Sequence, residues 1–148
     1  MGFLTNEIKN IIERQKLGYV ATVSPDNTPN LSPKGTISVW DDEHLVFADI
    51  KSPKTMANLE KNSSIEINVV DPITRKGYRF KGTGNILSSG QVYDKIISHY
   101  INIGIKSKIG RVVLIKVTGV NDVTSPLYDL GYTEDEIKKR WKNYYLSS

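Results

Sequence analysis

The segment LVFADIKSPKTMANLEKN, residues 45–62, runs from a short apolar strand directly into the start of a helix. The first turn of that helix is predicted to contain Ser52, Pro53, Lys54 and Thr55. Serine is a favoured N-cap residue, and proline suits the first helical position. Lysine is unfavourable there, because the aligned peptide dipoles already place about half a positive charge at a helix N-terminus. The segment therefore raises the question of which negative charge offsets its lysines.

A bound phosphate group would answer this question. The free backbone N–H groups of a first helical turn, the helix dipole, a hydroxyl and an ammonium group together suit a phosphate dianion. The candidate ligands are Ser52, Lys54 and Thr55, with Lys51 just outside the helix. The alternative is a plain helix cap with solvated lysines, since Ser-Pro is common capping chemistry.

Length and composition narrow the remaining possibilities. The chain has 148 residues, 39% hydrophobic and 24% charged, with a net charge of +4, and these values fit a single domain covering residues 1–148. It contains no cysteine, which excludes disulfides, thiolate metal ligands and cysteine nucleophiles. No run approaches the roughly 20 apolar residues of a membrane span, and the N-terminus lacks the features of a signal peptide. We therefore expect a cytoplasmic protein that does not contact a membrane.

Periodicity predicts a mainly β fold with flanking helices. Six strands are expected, at residues 19–24, 31–40, 45–50, 64–70, 78–87 and 111–120. Helices are expected at about 6–16, 53–61, 91–103 and within a C-terminal extension, 124–148, that begins its helix with a capping box at 133–136. Short turns join most neighbouring strands and favour antiparallel pairing, because a parallel crossover needs a dozen or more residues. An antiparallel sheet of this size tends to close to remove its edges, so we predict a six-stranded antiparallel β-barrel.

The predicted second strand, LSPKGTISVW, contains two residues that disrupt a ladder, Pro33 and Gly35. Proline cannot donate to a ladder, and glycine in a strand often marks a bulge or a close approach of backbone to a ligand. The same segment offers hydroxyls and a cation, from Ser32, Lys34 and Thr36. If it neighbours the strand at 45–50, the two features together describe a flat, phosphorylated ligand lying across the barrel wall. The alternative is an edge-strand bulge with no ligand.

The order of these elements resembles the pyridoxamine 5′-phosphate oxidase-like family of FMN-binding split β-barrels. The resemblance covers about residues 5–123 and rests on NLSPKGTISVWDDEHLVFADIKSPKTMANLEKNSSIEINVVDP, residues 30–72, followed by GYRFKGTG, residues 77–84. It implies a split barrel that binds FMN noncovalently at the interface of a homodimer. It also implies an oxidoreductase that passes hydride or electrons through the flavin.

The resemblance also implies which residues hold the cofactor. In the family, a Ser-x-Lys pattern between strand and helix holds the FMN phosphate, and Ser52 and Lys54 match it here. The other implied cofactor residues are Ser32, Pro33, Lys34, Gly35 and Thr36 of the second strand, Phe47, Ala48 and Asp49 of the third, Lys51 and Thr55 beside the phosphate, and Arg79 and Lys81 of a later strand. Tyr128 and Trp141 are expected to line a flavin pocket from the C-terminal segment, reaching the site of the second subunit.

Two departures from the family pattern bear on the substrate. Pyridoxamine phosphate oxidases carry an Arg-rich second strand and a C-terminal Arg-Leu-Ala-Pro type motif. Here the second strand has one lysine and the C-terminus reads TSPLYDLGYTEDEIKKRWKNYYLSS, so pyridoxamine phosphate is not the expected substrate. The expected reaction passes hydride from a small-molecule donor, such as NAD(P)H, to the flavin. Lys34 is expected to stabilise negative charge near N1 and O2 of the reduced ring.

Several alternatives stay open at this level. A flavin carrier or store without dedicated catalysis would have the same fold, as would a split barrel that binds F420 or haem. His44 and His99 lie in unrelated elements of a chain without cysteine, so no metal site is predicted. Trp141 and Tyr144 lie among lysines, and we interpret them as a helix face that packs on the barrel or a second subunit rather than as a nucleic-acid surface.

Overall fold

The structure is a computed structural model that describes residues 2–147. Met1 and Ser148, which the predicted domain includes, lie outside the described residues. The elements are α1 (Asn6–Gln15), β1 (Gly18–Val23), β2 (Pro29–Lys34), β3 (Ser38–Val39), β4 (His44–Ala48), α2 (Pro53–Lys61), β5 (Ser64–Asp71), β6 (Lys76–Leu87), α3 (Gln91–Asn102), β7 (Val112–Thr124), a 3₁₀ turn (Pro126–Tyr128) and α4 (Glu134–Leu146). None of the described helices is long and apolar enough to cross a bilayer.

Local capping chemistry determines where the helices begin. The Thr5 hydroxyl accepts a hydrogen bond from the N–H of Ile8 at the start of α1. Thr133 and Glu136 form the predicted capping box at the start of α4, in which each side chain accepts from the other residue's backbone N–H. Pro53 occupies the first helical position of α2, where its missing N–H removes no helical hydrogen bond.

The strands form one antiparallel sheet in the order β2-β1-β5-β6-β7-β4-β3. The prediction of six strands was wrong: residues 2–147 form seven, because the predicted strand at 31–40 is divided. Its first part, β2, pairs with β1 as far as Lys34, and its last part, β3, pairs with β4 from Ser38 onward. The chain changes partners across Gly35, immediately after Pro33, which cannot donate to a ladder.

This division explains the curvature of the sheet. β2 and β3 are the two edges of the sheet, yet only residues 35–37 separate them in sequence. So short a connection spans at most about 14 Å, so the sheet must curl until its edges approach each other. The result is a curled half-barrel whose split lies between β2 on one side and β3 and β4 on the other.

Alternation along the strands builds two hydrophobic cores. Inward-facing residues such as Phe47, Phe80 and Ile115 fill the barrel, together with residues of α1 and α2. The neighbouring residues Val46 and Ala48 point to the other face, where they pack under α3. α1 contacts β3 and β5, and α2 contacts β1, β2 and β6.

An apolar strip lies on the outer face of β1 and β2. It consists of three cross-strand pairs, Tyr19 with Pro33, Ala21 with Leu31, and Val23 with Pro29. Leu31 is 68% exposed and Tyr19 is 44% exposed. An exposed apolar strip of this kind is typical of an interaction surface.

Candidate functional site

The junction between β4 and α2 contains two accessible hydroxyl groups, which belong to the largely buried residues Ser52 and Thr55. Ser52 is the N-cap residue of α2, but its side chain accepts no capping hydrogen bond. Thr55, in the first turn, is 1% exposed and Ser52 is 7% exposed. Neither hydroxyl has a hydrogen-bond partner within residues 2–147. In the described chain the fully buried side-chain polar atoms without a partner are His99 Nε2 and Trp141 Nε1, so the Ser52 and Thr55 oxygens are accessible and free to bind an external ligand.

The backbone of the same turn adds two free donors. The N–H of Met56 is bonded to the carbonyl of Ser52, and Pro53 has no N–H. The N–H groups of Lys54 and Thr55 are therefore the unpaired donors at this end of α2. The first turn contains no acidic residue, and the side chains of Lys51 and Lys54 are exposed. Hydroxyls, N–H groups and ammonium groups thus occur together in this turn, as an anion site requires, and Asp26 is a carboxylate within electrostatic range of Lys54.

Lys34 is buried at the end of β2, where the barrel splits. It is 6% exposed, and its Nζ donates a hydrogen bond of 2.8 Å to the Ser32 hydroxyl. Its Nζ lies 6.0 Å from the centroid of the Phe47 ring. No carboxylate of the described chain forms an ion pair with it. Burial lowers the pKa of Lys34, and the negative charge of Asp49 opposes this shift.

The residues after Lys34 tie the two edges of the sheet together. The Thr36 hydroxyl accepts a hydrogen bond of 3.0 Å from the N–H of Ala48, and the Thr36 carbonyl accepts one of 2.7 Å from the hydroxyl of Tyr100. Gly35 lies between Lys34 and Thr36, and a Cβ built on it would meet no atom within 4 Å. The protein itself therefore leaves open space above this stretch of backbone.

The structure brings most of the predicted cofactor residues to the split. Lys34, Thr36, Ala48 and Asp49 lie where β2, β3 and β4 meet, and the chain continues from Asp49 directly into the α2 turn. The side chain of Phe47 is fully buried in the barrel core and takes no part in the surface of this site.

Arg79 and Lys81 lie elsewhere, on the outer face of β6. Both are exposed, and they pair across the ladder with Asn68 and Glu66 of β5. β6 is three positions from β2 in the sheet order. Lys81 borders a groove of about 480 Å³ at the bulge between Lys81 and Gly82, next to Ala21 and Val23 of the apolar strip.

Tyr128 and Trp141 contact the β5–β6 turn. The Tyr128 hydroxyl donates a hydrogen bond of 2.6 Å to the carbonyl of Thr74, and the guanidinium of Arg75 lies 3.5 Å from the centroid of the Trp141 indole ring. This turn precedes the first residue of β6. The split lies beside the opposite end of β6, because Val112 of β7 pairs both with Leu87 of β6 and with Ala48 of β4. Within one chain Tyr128 and Trp141 do not meet the site, so their predicted role requires a second subunit.

The sequence analysis missed two residues that support the site. Asn58, 2% exposed, donates hydrogen bonds to the hydroxyls of Thr22 at 3.0 Å and Ser24 at 3.4 Å, which fixes α2 over β1. Its position on the apolar face of α2, beside Leu59, is a signal that could have identified it. Tyr100 gave no such signal, because an aromatic residue on an apolar helix face is normal and its partner lies 64 residues away.

The histidines take part in local contacts. His44 Nδ1 lies 2.8 Å from a carboxylate oxygen of Asp41, and the His99 ring packs edge-on against Trp40 and Tyr100. Between residues 2 and 147, no group of three or more His, Asp or Glu side chains is arranged to hold a metal ion.

Comparison with known proteins gives a family match and many solved structures with a similar fold, of which three are described. Residues 4–123 match the family model for pyridoxamine 5′-phosphate oxidase. HupZ of group A Streptococcus is 31% identical with a TM-score of 0.75, over 83% of this chain and 96% of HupZ. An FMN-binding protein of Syntrophomonas wolfei is 18% identical with a TM-score of 0.70, over 82% and 87%. An F420 reductase is 21% identical with a TM-score of 0.62, over 79% and 98%. A search of curated proteins gave no match.

Proposed function

Because the chain belongs to the pyridoxamine 5′-phosphate oxidase family, we propose that it binds FMN noncovalently and acts as a flavin-dependent oxidoreductase. The observation that carries this proposal is the pair of accessible hydroxyls at the start of α2, Ser52 and Thr55, which have no partner in the described chain. The likeness to the FMN-binding protein of Syntrophomonas wolfei supports the fold that the proposal needs.

The FMN phosphate is assigned to the first turn of α2. The hydroxyls of Ser52 and Thr55 donate to its oxygens, and so do the free N–H groups of Lys54 and Thr55. The ammonium groups of Lys51 and Lys54 balance its charge from the exposed side. A phosphate dianion there also offsets the unfavourable placement of lysines at a helix N-terminus.

The flavin ring is assigned to the split, along the backbone of residues 32–36. The open space above Gly35 admits a flat ring against the chain. Bound FMN supplies hydride and electron transfer. The protein contributes the Lys34 ammonium, which the Ser32 hydroxyl holds at the rim of the ring. There the ammonium stabilises negative charge on the ring.

A second copy of the chain is assigned to the apolar strip on β1 and β2. The exposed side chains of Tyr19 and Leu31 lie on one continuous outer face, and burying them against another protomer removes apolar surface from water. In such a homodimer, Tyr128 and Trp141 of one protomer become available to the flavin site of the other.

The substrate is assigned to a class rather than to one compound. The second strand has a single cation, Lys34, so the chain lacks the arginines expected for pyridoxamine phosphate. We therefore propose a small-molecule electron donor of the NAD(P)H class. A flavin carrier without catalysis is the competing function, and the rate of flavin reduction by NADH and NADPH separates the two.

The decisive experiment compares FMN with riboflavin, which lacks the phosphate. Visible spectra and fluorescence titrations are recorded for the wild type, for Ser52→Ala/Lys54→Ala, and for Lys61→Ala, an exposed lysine in the last turn of the same helix. Two hydrogen bonds to a charged group contribute about 3 kcal/mol or more, so we expect the double variant to bind FMN at least about 100-fold more weakly.

The controls define the outcomes. Riboflavin affinity should be unchanged in the double variant, and Lys61→Ala should bind both flavins as the wild type does. The proposal is refuted if the purified protein is colourless and does not bind added FMN. It is also refuted if the protein binds F420 or haem in preference to FMN. Equal loss of FMN and riboflavin affinity would refute the placement of the phosphate.

A further inference from the structure

The crossover from β2 to β3 is weakly held by the sheet itself. Its ladder to β1 ends at Lys34, and its ladder to β4 begins at Ser38. Between these points the side chain of Ile37 is buried in the core, whereas Gly35 is exposed and has no side chain to pack. The buried Ile37 side chain and the polar contacts of Thr36 therefore hold the backbone beside the proposed flavin ring.

One of these contacts comes from a distant helix. Tyr100 of α3 is fully buried on the outer face of β4, and its hydroxyl donates a hydrogen bond of 2.7 Å to the Thr36 carbonyl. The Ser38 hydroxyl donates to the same carbonyl at the longer distance of 3.3 Å. Burial raises the pKa of Tyr100, so its hydroxyl remains a donor throughout the neutral pH range.

We propose that Tyr100 is a positioning residue for the flavin ring, which it never touches. Its hydrogen bond fixes Thr36, which receives the Ala48 N–H, and so fixes the backbone that carries the Lys34 ammonium. This inference rests on the proposed function, because it assigns a role in FMN binding. A displacement of about 1 Å in a binding group is enough to lose much of its interaction energy.

The same helix offers a matched control. Tyr93 is two turns before Tyr100, and its hydroxyl also donates to a backbone carbonyl, that of Gly110, at 2.7 Å. Tyr93→Phe and Tyr100→Phe remove the same atom and the same kind of hydrogen bond. Only the second change affects the crossover.

The test measures flavin affinity and backbone protection separately. FMN and riboflavin are titrated into the wild type and both variants, and amide hydrogen exchange at Ala48, whose N–H donates to the Thr36 hydroxyl, is followed by NMR in the flavin-free proteins. In Tyr100→Phe we expect exchange at this amide to rise about tenfold, and both flavins to bind about tenfold more weakly. Equal weakening follows because the ring site changes and the phosphate site does not.

Each possible result supports or contradicts a specific role for Tyr100. A Tyr100→Phe protein that matches Tyr93→Phe in exchange at Ala48 and in both affinities overturns the positioning role. Faster exchange with unchanged flavin affinity also overturns it, since the crossover would then be held for the fold alone. A wild-type protein that binds neither flavin instead refutes the proposed function, and the exchange data still report whether Tyr100 holds the crossover.

Discussion

Replacing Lys34 with methionine separates the contribution of this lysine to folding from its proposed contribution to binding. Its ammonium is buried, and within the described chain its one hydrogen bond is to the Ser32 hydroxyl. An ammonium group buried without a carboxylate is unfavourable for folding. Methionine keeps an unbranched side chain of similar length and removes the charge. The apoprotein should therefore be at least as stable as the wild type.

The pH dependence gives the sign of this effect. Because burial lowers the pKa of Lys34 below its ordinary value of 10.5, the unfolded chain holds this proton more tightly than the folded chain. The resulting destabilisation is fully present below the lowered pKa and fades as the pH rises from there to 10.5. The difference in unfolding free energy between wild type and Lys34→Met should shrink over that interval.

Binding of FMN should change in the opposite direction. A hydrogen bond from a charged donor contributes about 1.5–3 kcal/mol, so Lys34→Met should bind FMN about 10- to 150-fold more weakly. The midpoint potential of the bound flavin should also become more negative, because the reduced ring carries more negative charge than the oxidised ring. Lys61→Met, at the exposed end of α2, is the matched loss of one charge.

Urea unfolding of the apoproteins and fluorescence titration with FMN measure the two effects. The reasoning is refuted if Lys34→Met lowers the unfolding free energy by more than about 1 kcal/mol and leaves FMN affinity unchanged. Lys34 would then stabilise the folded protein and would not bind a ligand.

Three further substitutions test other parts of the site. Gly35→Ala adds a methyl group where no protein atom lies within 4 Å and where φ is not positive. The melting temperature of the apoprotein should therefore stay the same or rise slightly, while FMN affinity falls. Unchanged FMN affinity would contradict the placement of the ring. Trp141→Ala and Arg75→Ala both remove the cation–π contact between α4 and the β5–β6 turn, worth about 1 kcal/mol. If Trp141 reaches the flavin of the partner subunit, Trp141→Ala should weaken FMN binding more than Arg75→Ala does, and equal effects would contradict that role.

The features that the sequence predicted correctly are those encoded within a few residues. Thr5 and Thr133 mark helix starts because each cap involves a backbone N–H three residues away. The start of α2 at Pro53 was predictable for the same reason. The groups assigned to the phosphate could be recognised together because one helical turn brings them together.

The features that the sequence did not predict depend on contacts between distant residues. Whether 31–40 forms one strand or two depends on which strand pairs with each half, and β1 and β4 lie on opposite sides of the barrel split. The link from Tyr100 to Thr36 depends on the packing of α3 over β4, which periodicity does not specify. The role of Asn58 could have been predicted from the sequence, because an amide on the apolar face of a helix is buried and requires hydrogen-bond partners.

The proposed site lies where the fold leaves polar groups without partners. Along β5, β6 and β7 each strand has a neighbour on both sides, so ladder hydrogen bonds occupy the backbone. At the split β2 and β3 each have one neighbour, and the short crossover brings their free edges beside the start of α2. The C-terminal segment stands apart, because residues 124–147 lie beyond the family match and α4 buries only Ile137 among its described residues. On the proposed function, cofactor binding is expected to depend on the barrel that the family model covers, and the C-terminal segment is expected to reach a flavin only through a second subunit.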